Sequence, residues 1–155
     1  MTHSELALTA FDAGCDCGKA IIRAYETETI LDERSLARLH EDVPGLPGHP
    51  EDECGIVTGA DIVIQTLRGL KASPTTASEF SRTFKERFIA LNESACCKRL
   101  LGYDVADVRE LGQAIDADAF DHVCRKLMAD ACSILDGMIA AMPAPTGERR
   151  APRPS

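Results

Sequence analysis

The apolar stretch that begins just after Cys54 constrains the fold of this chain more than any other segment. Its apolar residues recur at intervals of three and four, and they are Ile56, Val57, Ala60, Val63, Ile64, Leu67 and Leu70. This is the period of an amphipathic α-helix that buries one face. The stretch therefore predicts a helix that must pack against other parts of the chain.

A similar period runs through most of the sequence, whereas no segment of useful length alternates as a β-strand does. The main predicted helices cover residues 4–26, 54–70, 76–92, 104–115 and 118–142, with a shorter one at 32–39. Ser4 and Asp104 are the expected caps of the helices that they begin. The predicted fold class is therefore all-α, a single compact bundle of about five helices.

Three of these helices have apolar faces that predict core positions. In the helix at 76–92 the face consists of Phe80, Phe84, Phe88 and Leu91. In the helix at 104–115 the apolar positions are Val108, Leu111 and Ile115. In the last helix Cys124 falls at the centre of the apolar face, and Cys132 falls at its edge.

Length and composition fit one domain. The chain has 155 residues, of which 45% are hydrophobic, and this is enough for one core but too little for two. Residues 1–142 are predicted to form an all-α cysteine-rich domain. Residues 143–155 contain four prolines and three arginines without an apolar period, so they predict a disordered tail.

Charge and targeting signals restrict the partners. The formal net charge of −8 repels phosphate backbones, so no nucleic-acid partner is expected. Neither a secretory signal nor an apolar run of membrane-spanning length is visible, which predicts a cytoplasmic protein without a membrane partner. Structural disulfides are disfavoured in the cytoplasm, so the seven cysteines suggest metal, cluster or redox use.

Cys54 is predicted to lie in the first turn of its helix. The unpaired N–H groups and the helix dipole at that end favour a thiolate, which makes Cys54 a candidate ligand or redox thiol. Gly55 and Gly59 lie on one helix face and leave room for a backbone or a bulky inorganic group to approach. A small buried cysteine on a tightly packed helix would give the same pattern, and both interpretations remain open.

Cys15 and Cys17 are two residues apart, which corresponds to about 200° of rotation on a helix. On a regular helix both cannot point into one site. Cys17 is the better candidate because its face continues through Ile21 and Ala24.

The other cysteines and one histidine are further candidates. Cys96 and Cys97 follow the phenylalanine-rich helix in a short connection. Cys15, Cys96 and Cys132 are reserve ligands. His49 is the histidine placed to join a metal site near Cys54, in an irregular loop that three prolines and two glycines predict over residues 43–50.

Several segments match one known family in their order along the chain. They are Cys17-Gly18-Lys19-Ala20-Ile21, Cys54-Gly55-Ile56-Val57-Thr58-Gly59, Phe84-Lys85-Glu86-Arg87-Phe88, Cys97-Lys98-Arg99-Leu100-Leu101-Gly102, and Cys124 with Leu127 and Ala131. The chain thus resembles the small proteins named for four cysteines and a Cys-Gly-Ala-x-x-Gly signature, to which redox activity is attributed. Ile56 replaces the alanine of that signature, and prolines interrupt the glycine-rich segment that usually precedes it.

The resemblance implies that the four family cysteines are Cys17, Cys54, Cys97 and Cys124. In the first hypothesis these converge as thiolates around an iron–sulfur cluster or another soft metal centre, for electron transfer or redox sensing. Zinc or copper fits less well as the cofactor. Gly55 and Gly59 would make room for the bound group.

Two other hypotheses remain. In the second, the protein is a metal-free thiol–disulfide redox protein, with Cys54 as the attacking thiolate and Cys97 as the resolving thiol. In the third, it is a structural zinc protein or a helical interaction protein.

The sequence lacks the motifs of common hydrolytic and phosphate-binding enzymes. The sequence has no Ser-His-Asp, His-Glu-x-x-His or Walker-type phosphate motif. An enzyme of this kind would therefore be an oxidoreductase, and an electron-transfer protein is the alternative. A redox partner protein is expected, and a homodimer is compatible with the sequence.

Overall fold

Helices form nearly all of the regular structure in the computed structural model, which describes residues 1–32, 34–35, 53–70 and 74–142. The α-helices in these ranges are α1 (His3–Asp12), α2 (Cys17–Ala24), α3 (Gly55–Thr66), α4 (Pro74–Asn92), α5 (Cys97–Leu101), α6 (Val108–Asp116) and α7 (Arg125–Ala140). A 3₁₀ turn (Arg68–Leu70) follows α3, and a π-helical turn (Phe120–Cys124) leads into α7. The all-α class is confirmed, and the described ranges contain seven α-helices rather than about five.

The long helix predicted over residues 4–26 is wrong, because the chain forms two helices there. Thr2, rather than Ser4, caps α1: its side chain accepts from the Glu5 N–H, and the Glu5 carboxylate accepts from the Thr2 N–H. After α1 the backbone turns at Gly14, whose φ of +105° few other residues adopt. Asp16 then caps α2 by accepting from the Lys19 N–H at 2.9 Å.

The helices near the carboxyl end also begin at other residues than predicted. Asp107, rather than Asp104, caps α6 through the N–H groups of Arg109 and Glu110. Asp118 has a left-handed φ of +54°, and its carbonyl accepts from the His122 N–H as the π-helical turn begins. The last helical segment is therefore a π turn joined to α7, and α7 ends at Ala140 rather than at Met142.

The core lies where α2, α3, α4 and α7 meet, and α1 packs against α2 and α7. The apolar face predicted after Cys54 is buried throughout, as the helical period required. The largest fully buried side chains include Tyr25, Phe84, Phe88, Ile21, Ile22, Ile56, Ile64, Met128 and Leu135.

Two predicted apolar faces are only partly buried. Phe84 and Phe88 of α4 are buried, whereas Leu91 is 58% exposed because it lies in the last turn of that helix, where the chain leaves the core. In α6, Ala114 is buried but Val108 and Ile115 are exposed, so this helix contacts the core through its small residue.

Some predicted features lie outside the described residues. These are most of the helix at 32–39, the loop at 43–50 with His49, and the tail at 143–155. Among the helices in the described ranges, none is both long enough and apolar enough to cross a membrane.

Two isolated β-bridges tie distant segments together. One joins Thr29 to Leu67, and the other joins Glu53 to Cys96. The second bridge lies beside a 2.7 Å hydrogen bond from the Cys54 N–H to the Ala95 carbonyl. It therefore brings the start of α3 next to the start of α5, and with them Cys54 next to Cys97.

Candidate cysteine site

The structure brings the four family cysteines to one cavity of about 180 Å³, which we call the thiol cavity. Its remaining lining is mostly apolar and consists of Phe11, Asp16, Leu100, Leu101, Phe120 and Leu127. Cys17, Cys54, Cys97 and Cys124 thus come from four separate segments to a common space.

Three of these cysteines stand at helix beginnings. Cys17 is the first residue of α2, and Cys97 is the first residue of α5. Cys54 is the residue before α3, in the N-cap position, rather than a member of the first turn. Cys124 ends the π-helical turn and is buried. The amino-terminal ends of three helices therefore meet at the thiol cavity.

Backbone N–H groups at these ends interact with the thiols. Those of Ile56 and Val57 lie near the Cys54 sulfur and lower the pKa of its thiol, and the Gly18 N–H has the same effect on the pKa of Cys17. Donors of this kind stabilise thiolate sulfur whether or not a metal is bound to it.

Burial nevertheless outweighs these donors in the protein alone. It raises the pKa of the Cys17, Cys54 and Cys124 thiols from 9.0 to about 12. It also raises the pKa of Cys97, with a further contribution from Cys96. The expectation that the helix start makes Cys54 a thiolate is therefore wrong for the protein without a bound cation, because Cys54 is only 3% exposed.

The four thiols also act on one another. Charge on Cys54 and on Cys97 raises the pKa of Cys17, and charge on Cys17 and on Cys97 raises the pKa of Cys124. They therefore titrate as one coupled group, in which each ionised sulfur opposes ionisation of the next. A positive charge placed among them would remove that opposition.

Gly55 and Gly59 make room mainly for protein. A Cβ added at Gly55 would lie 3.0 Å from the Cys17 sulfur, and one added at Gly59 would lie 2.5 Å from the Gly18 carbonyl oxygen. The sequence left open whether a backbone or a bulky inorganic group approaches these glycines. At Gly59 the approaching group is the backbone of Gly18. The two glycines let α2 cross α3 closely enough to bring Cys17 beside Cys54.

The reserve cysteines do not line the thiol cavity. Cys132 is buried elsewhere in α7, beside Tyr25. Cys15 is half-buried in the connection before α2, and Cys96 is the N-cap of α5. Cys96 is the one of these that influences the site, through its effect on Cys97.

Sequence reasoning missed Glu53 and Asp16 as neighbours of the site. The Glu53 side chain is 3% exposed and accepts hydrogen bonds from the Thr58 hydroxyl at 2.7 Å and the Lys85 ammonium at 2.8 Å. These two hydrogen bonds anchor Glu53, the residue before Cys54, to α3 and α4. An acidic residue directly before a candidate cysteine was the available signal at both positions.

Sulfur is the one donor type that the four cysteines supply to this cavity. In the described ranges no group of three or more His, Cys, Asp or Glu side chains has the geometry needed to hold a metal ion. The four thiols around the cavity nevertheless form an all-sulfur set, which is the ligand type that soft metals and iron–sulfur clusters select.

Comparisons with known proteins identify the family. A family model described as "Putative redox-active protein (C_GCAxxG_C_C)" matches residues 15–138, well over half of the chain. No curated protein and no solved structure gave a match. The matched range contains all four cysteines of the thiol cavity. The chain therefore belongs to the C_GCAxxG_C_C family.

Proposed function

We propose that this is a redox protein in which Cys17, Cys54, Cys97 and Cys124 hold an iron–sulfur cluster or another soft metal centre. The role proposed for that centre is electron transfer or redox sensing. The observation that carries the proposal is the convergence of the four thiols, from four segments, on one cavity. Membership of a family to which redox activity is attributed supports it independently.

The residues of the cavity fit such a group by their chemistry. All four candidate ligands are thiols, and the nearby Ile56 and Val57 N–H groups can donate to a bound sulfur. When bound by four thiolates, an iron–sulfur cluster gains or loses an electron at a potential set by such hydrogen bonds and by burial. The apolar side chains of Leu100, Leu101 and Phe120 limit the access of water.

The thiols of the cavity must lose their protons when they bind a cation. At neutral pH the buried thiols are protonated, since the pKa of three of them is about 12. Binding as thiolates therefore releases protons to solvent, and affinity should increase with pH. Burial, and to a smaller extent repulsion among the ionised sulfurs, keeps the thiols protonated in the protein alone, and a bound cation would offset both.

The spacing of the thiols supports a polynuclear centre over a single zinc ion. Four sulfurs around one zinc lie about 2.3 Å from it and hence about 3.8 Å from one another. In the described ranges no three or more cysteine side chains are spaced so that they could hold one metal ion, and the thiol cavity has a volume of about 180 Å³. A cluster would place its own iron and sulfide between the thiolates, so its four ligands need not converge on a single ion.

Burial also argues against metal-free thiol exchange at Cys54. An attacking thiol must reach its target disulfide as a thiolate. Cys54 is 3% exposed, and burial raises the pKa of its thiol to about 12. The same cysteine is well placed as a ligand, because a ligand needs no access to an external disulfide.

Anaerobic purification without a metal-binding tag tests the proposal. The expected result is a coloured protein with iron and acid-labile sulfide in matched amounts, and with a visible spectrum that bleaches on reduction. Cys54→Ser should lose most of the iron, whereas Cys132→Ser should keep it, because Cys132 is equally buried but lies away from the cavity. Zinc and copper are measured in the same samples.

Two results would contradict the proposal. One is a colourless, metal-free protein whose free-thiol count changes in pairs on reduction, which would support thiol exchange instead. The other is an equal loss of metal in the Cys54→Ser and Cys132→Ser variants while circular dichroism shows both to be folded.

A further inference from the structure

A second cleft of about 550 Å³ opens on the other side of one wall of the thiol cavity. Leu100 and Leu127 line both spaces, so the two are separated by these side chains. The cleft is formed where the end of α4, the helix α5 and the π-helical turn with the start of α7 meet. Its volume lies in the range of sites that bind small molecules, about 300–1,000 Å³.

Nitrogen donors from three elements surround this cleft. Arg99 comes from α5, His122 from the π-helical turn and Lys126 from α7. Glu93 is the acidic residue of the lining, and the Lys126 ammonium is paired with the Asp130 carboxylate, so among the described residues Arg99 is the cation of this lining that has no ion-pair partner. A guanidinium without a partner in a cleft offers its N–H donors to a small anion.

The donors are available to a ligand. The Lys126 ammonium is held in place by the Asn92 side-chain oxygen at 2.9 Å and by the Asp130 carboxylate at 2.7 Å. Within the part of the chain that the structure describes, Arg99 and His122 have no side-chain hydrogen bond or ion pair. One donor is thus pre-oriented, and two have unused hydrogen-bonding capacity.

We propose that this cleft binds a small organic anion. Its carboxylate or phosphate would interact with Arg99 and Lys126, with His122 as a third donor, because charge-assisted hydrogen bonds to these groups are the strong ones. Its apolar body would pack on Leu100, Val123 and Leu127. This anion site does not depend on whether the thiol cavity binds a metal centre. A ligand in the cleft would be separated from that cavity by one layer of side chains, Leu100 and Leu127.

Titration of isotope-labelled protein, followed by ¹H–¹⁵N NMR, tests this site directly. The probes are phenyl phosphate, benzoate and the uncharged benzyl alcohol, which share an aromatic ring and differ in their charged group. Saturable shifts are expected at residues 92–100 and 122–127 for the anions, and benzyl alcohol should bind about tenfold more weakly or not at all. The tighter of the two anions identifies the preferred charged group.

A pair of variants on α5 separates a site from general charge attraction. Arg99→Gln should weaken anion binding about tenfold, because it removes one charge-assisted contact. Lys98→Gln removes the same charge from the neighbouring residue, which is exposed and does not line the cleft, and should leave binding unchanged. Non-saturable shifts, equal effects of the two variants, or equal binding of benzyl alcohol would each overturn the proposal.

Discussion

At the scale of single residues, Gly59 is the position where the close packing of α2 on α3 leaves no space for a side chain. A Cβ there would meet the backbone of Gly18, with its nearest atoms at 2.5 and 3.0 Å. Backbone atoms of a packed helix cannot move aside as the tip of a flexible side chain can. This glycine is therefore required by geometry, and not by any need for an unusual φ.

Replacing Gly59 by alanine should destabilise the protein by about 1–3 kcal/mol, the usual cost of overpacking a core. The matched control is Gly137→Ala in α7, because a Cβ at Gly137 meets nothing within 4 Å. The control should be neutral or stabilising by up to about 1 kcal/mol, since alanine is the better helix former. Urea unfolding of both variants measures the difference, and equal stability would show that α2 and α3 can separate at little cost.

At the scale of elements, the sequence predicts local helices better than the limits between them. The face after Cys54 is buried as predicted because one period extends over the whole of α3. Residues 4–26 show a similar period, yet Gly14 and the Asp16 cap divide them into two helices. The turn at Gly14 and the cap at Asp16 end one helix and begin the next, although the apolar period continues across the break.

The attachment of α1 to the bundle depends on His3, which lies at its beginning. Its ring stacks on Tyr25 with a centroid separation of 4.0 Å, and its two nitrogens lie 2.8 Å from Glu28 and 2.7 Å from Asp136. These contacts link α1 to the end of α2 and to α7. The opposite end of α1 is held by an ion pair between Asp12 and Arg125 at 2.6 Å.

Removing this side chain should loosen α1 without unfolding the core. His3→Ala is expected to cost about 1 kcal/mol, because the contacts are partly exposed. Backbone amides of α1 should exchange with solvent faster, while those of α3 keep their protection. Ser4→Ala in the same helix is the control and should leave both rates unchanged. Uniformly faster exchange in α1 and α3 would show that α1 is an integral part of the cooperative core.

At the scale of the whole molecule, the convergence of the cysteines is the feature that sequence alone could not derive. Their spacings along the chain match no compact ligand motif, and although helix positions favoured Cys17 and Cys54, only the family resemblance selected the full set of Cys17, Cys54, Cys97 and Cys124 among seven cysteines. The contacts that bring them together are long-range ones, such as the bridge from Glu53 to Cys96. No local period encodes such a pairing.

The buried thiols make the stability of the metal-free protein depend on pH. Unfolded thiols ionise near pH 9, whereas burial raises the pKa of Cys17, Cys54 and Cys124 to about 12 in the folded protein. Between these values the unfolded chain binds fewer protons, so the free energy of unfolding should fall as pH rises. Below about pH 9 the contribution of these thiols is fully present.

Urea unfolding of the metal-free, reduced protein at pH 7.5, 9 and 10.5 measures this dependence. The loss of stability should steepen above pH 9, and Cys124→Ala should show a shallower loss because one such thiol is absent. The difference between the two slopes isolates the thiol from other groups that titrate in this range. Parallel slopes would show that Cys124 is ionised equally easily in the folded and unfolded states.

The wide separation of the four cysteines along the chain has a consequence for biosynthesis. A chain emerging from the ribosome presents Cys17 well before Cys124, because most of the four-cysteine domain lies between them. The cavity is not enclosed until the first and last helices have met, which places it among the late products of folding. Assembly of a centre held by all four thiols must therefore follow synthesis of the segment that contains Cys124, and a truncation before that residue would leave the other three thiols beside an incomplete cavity.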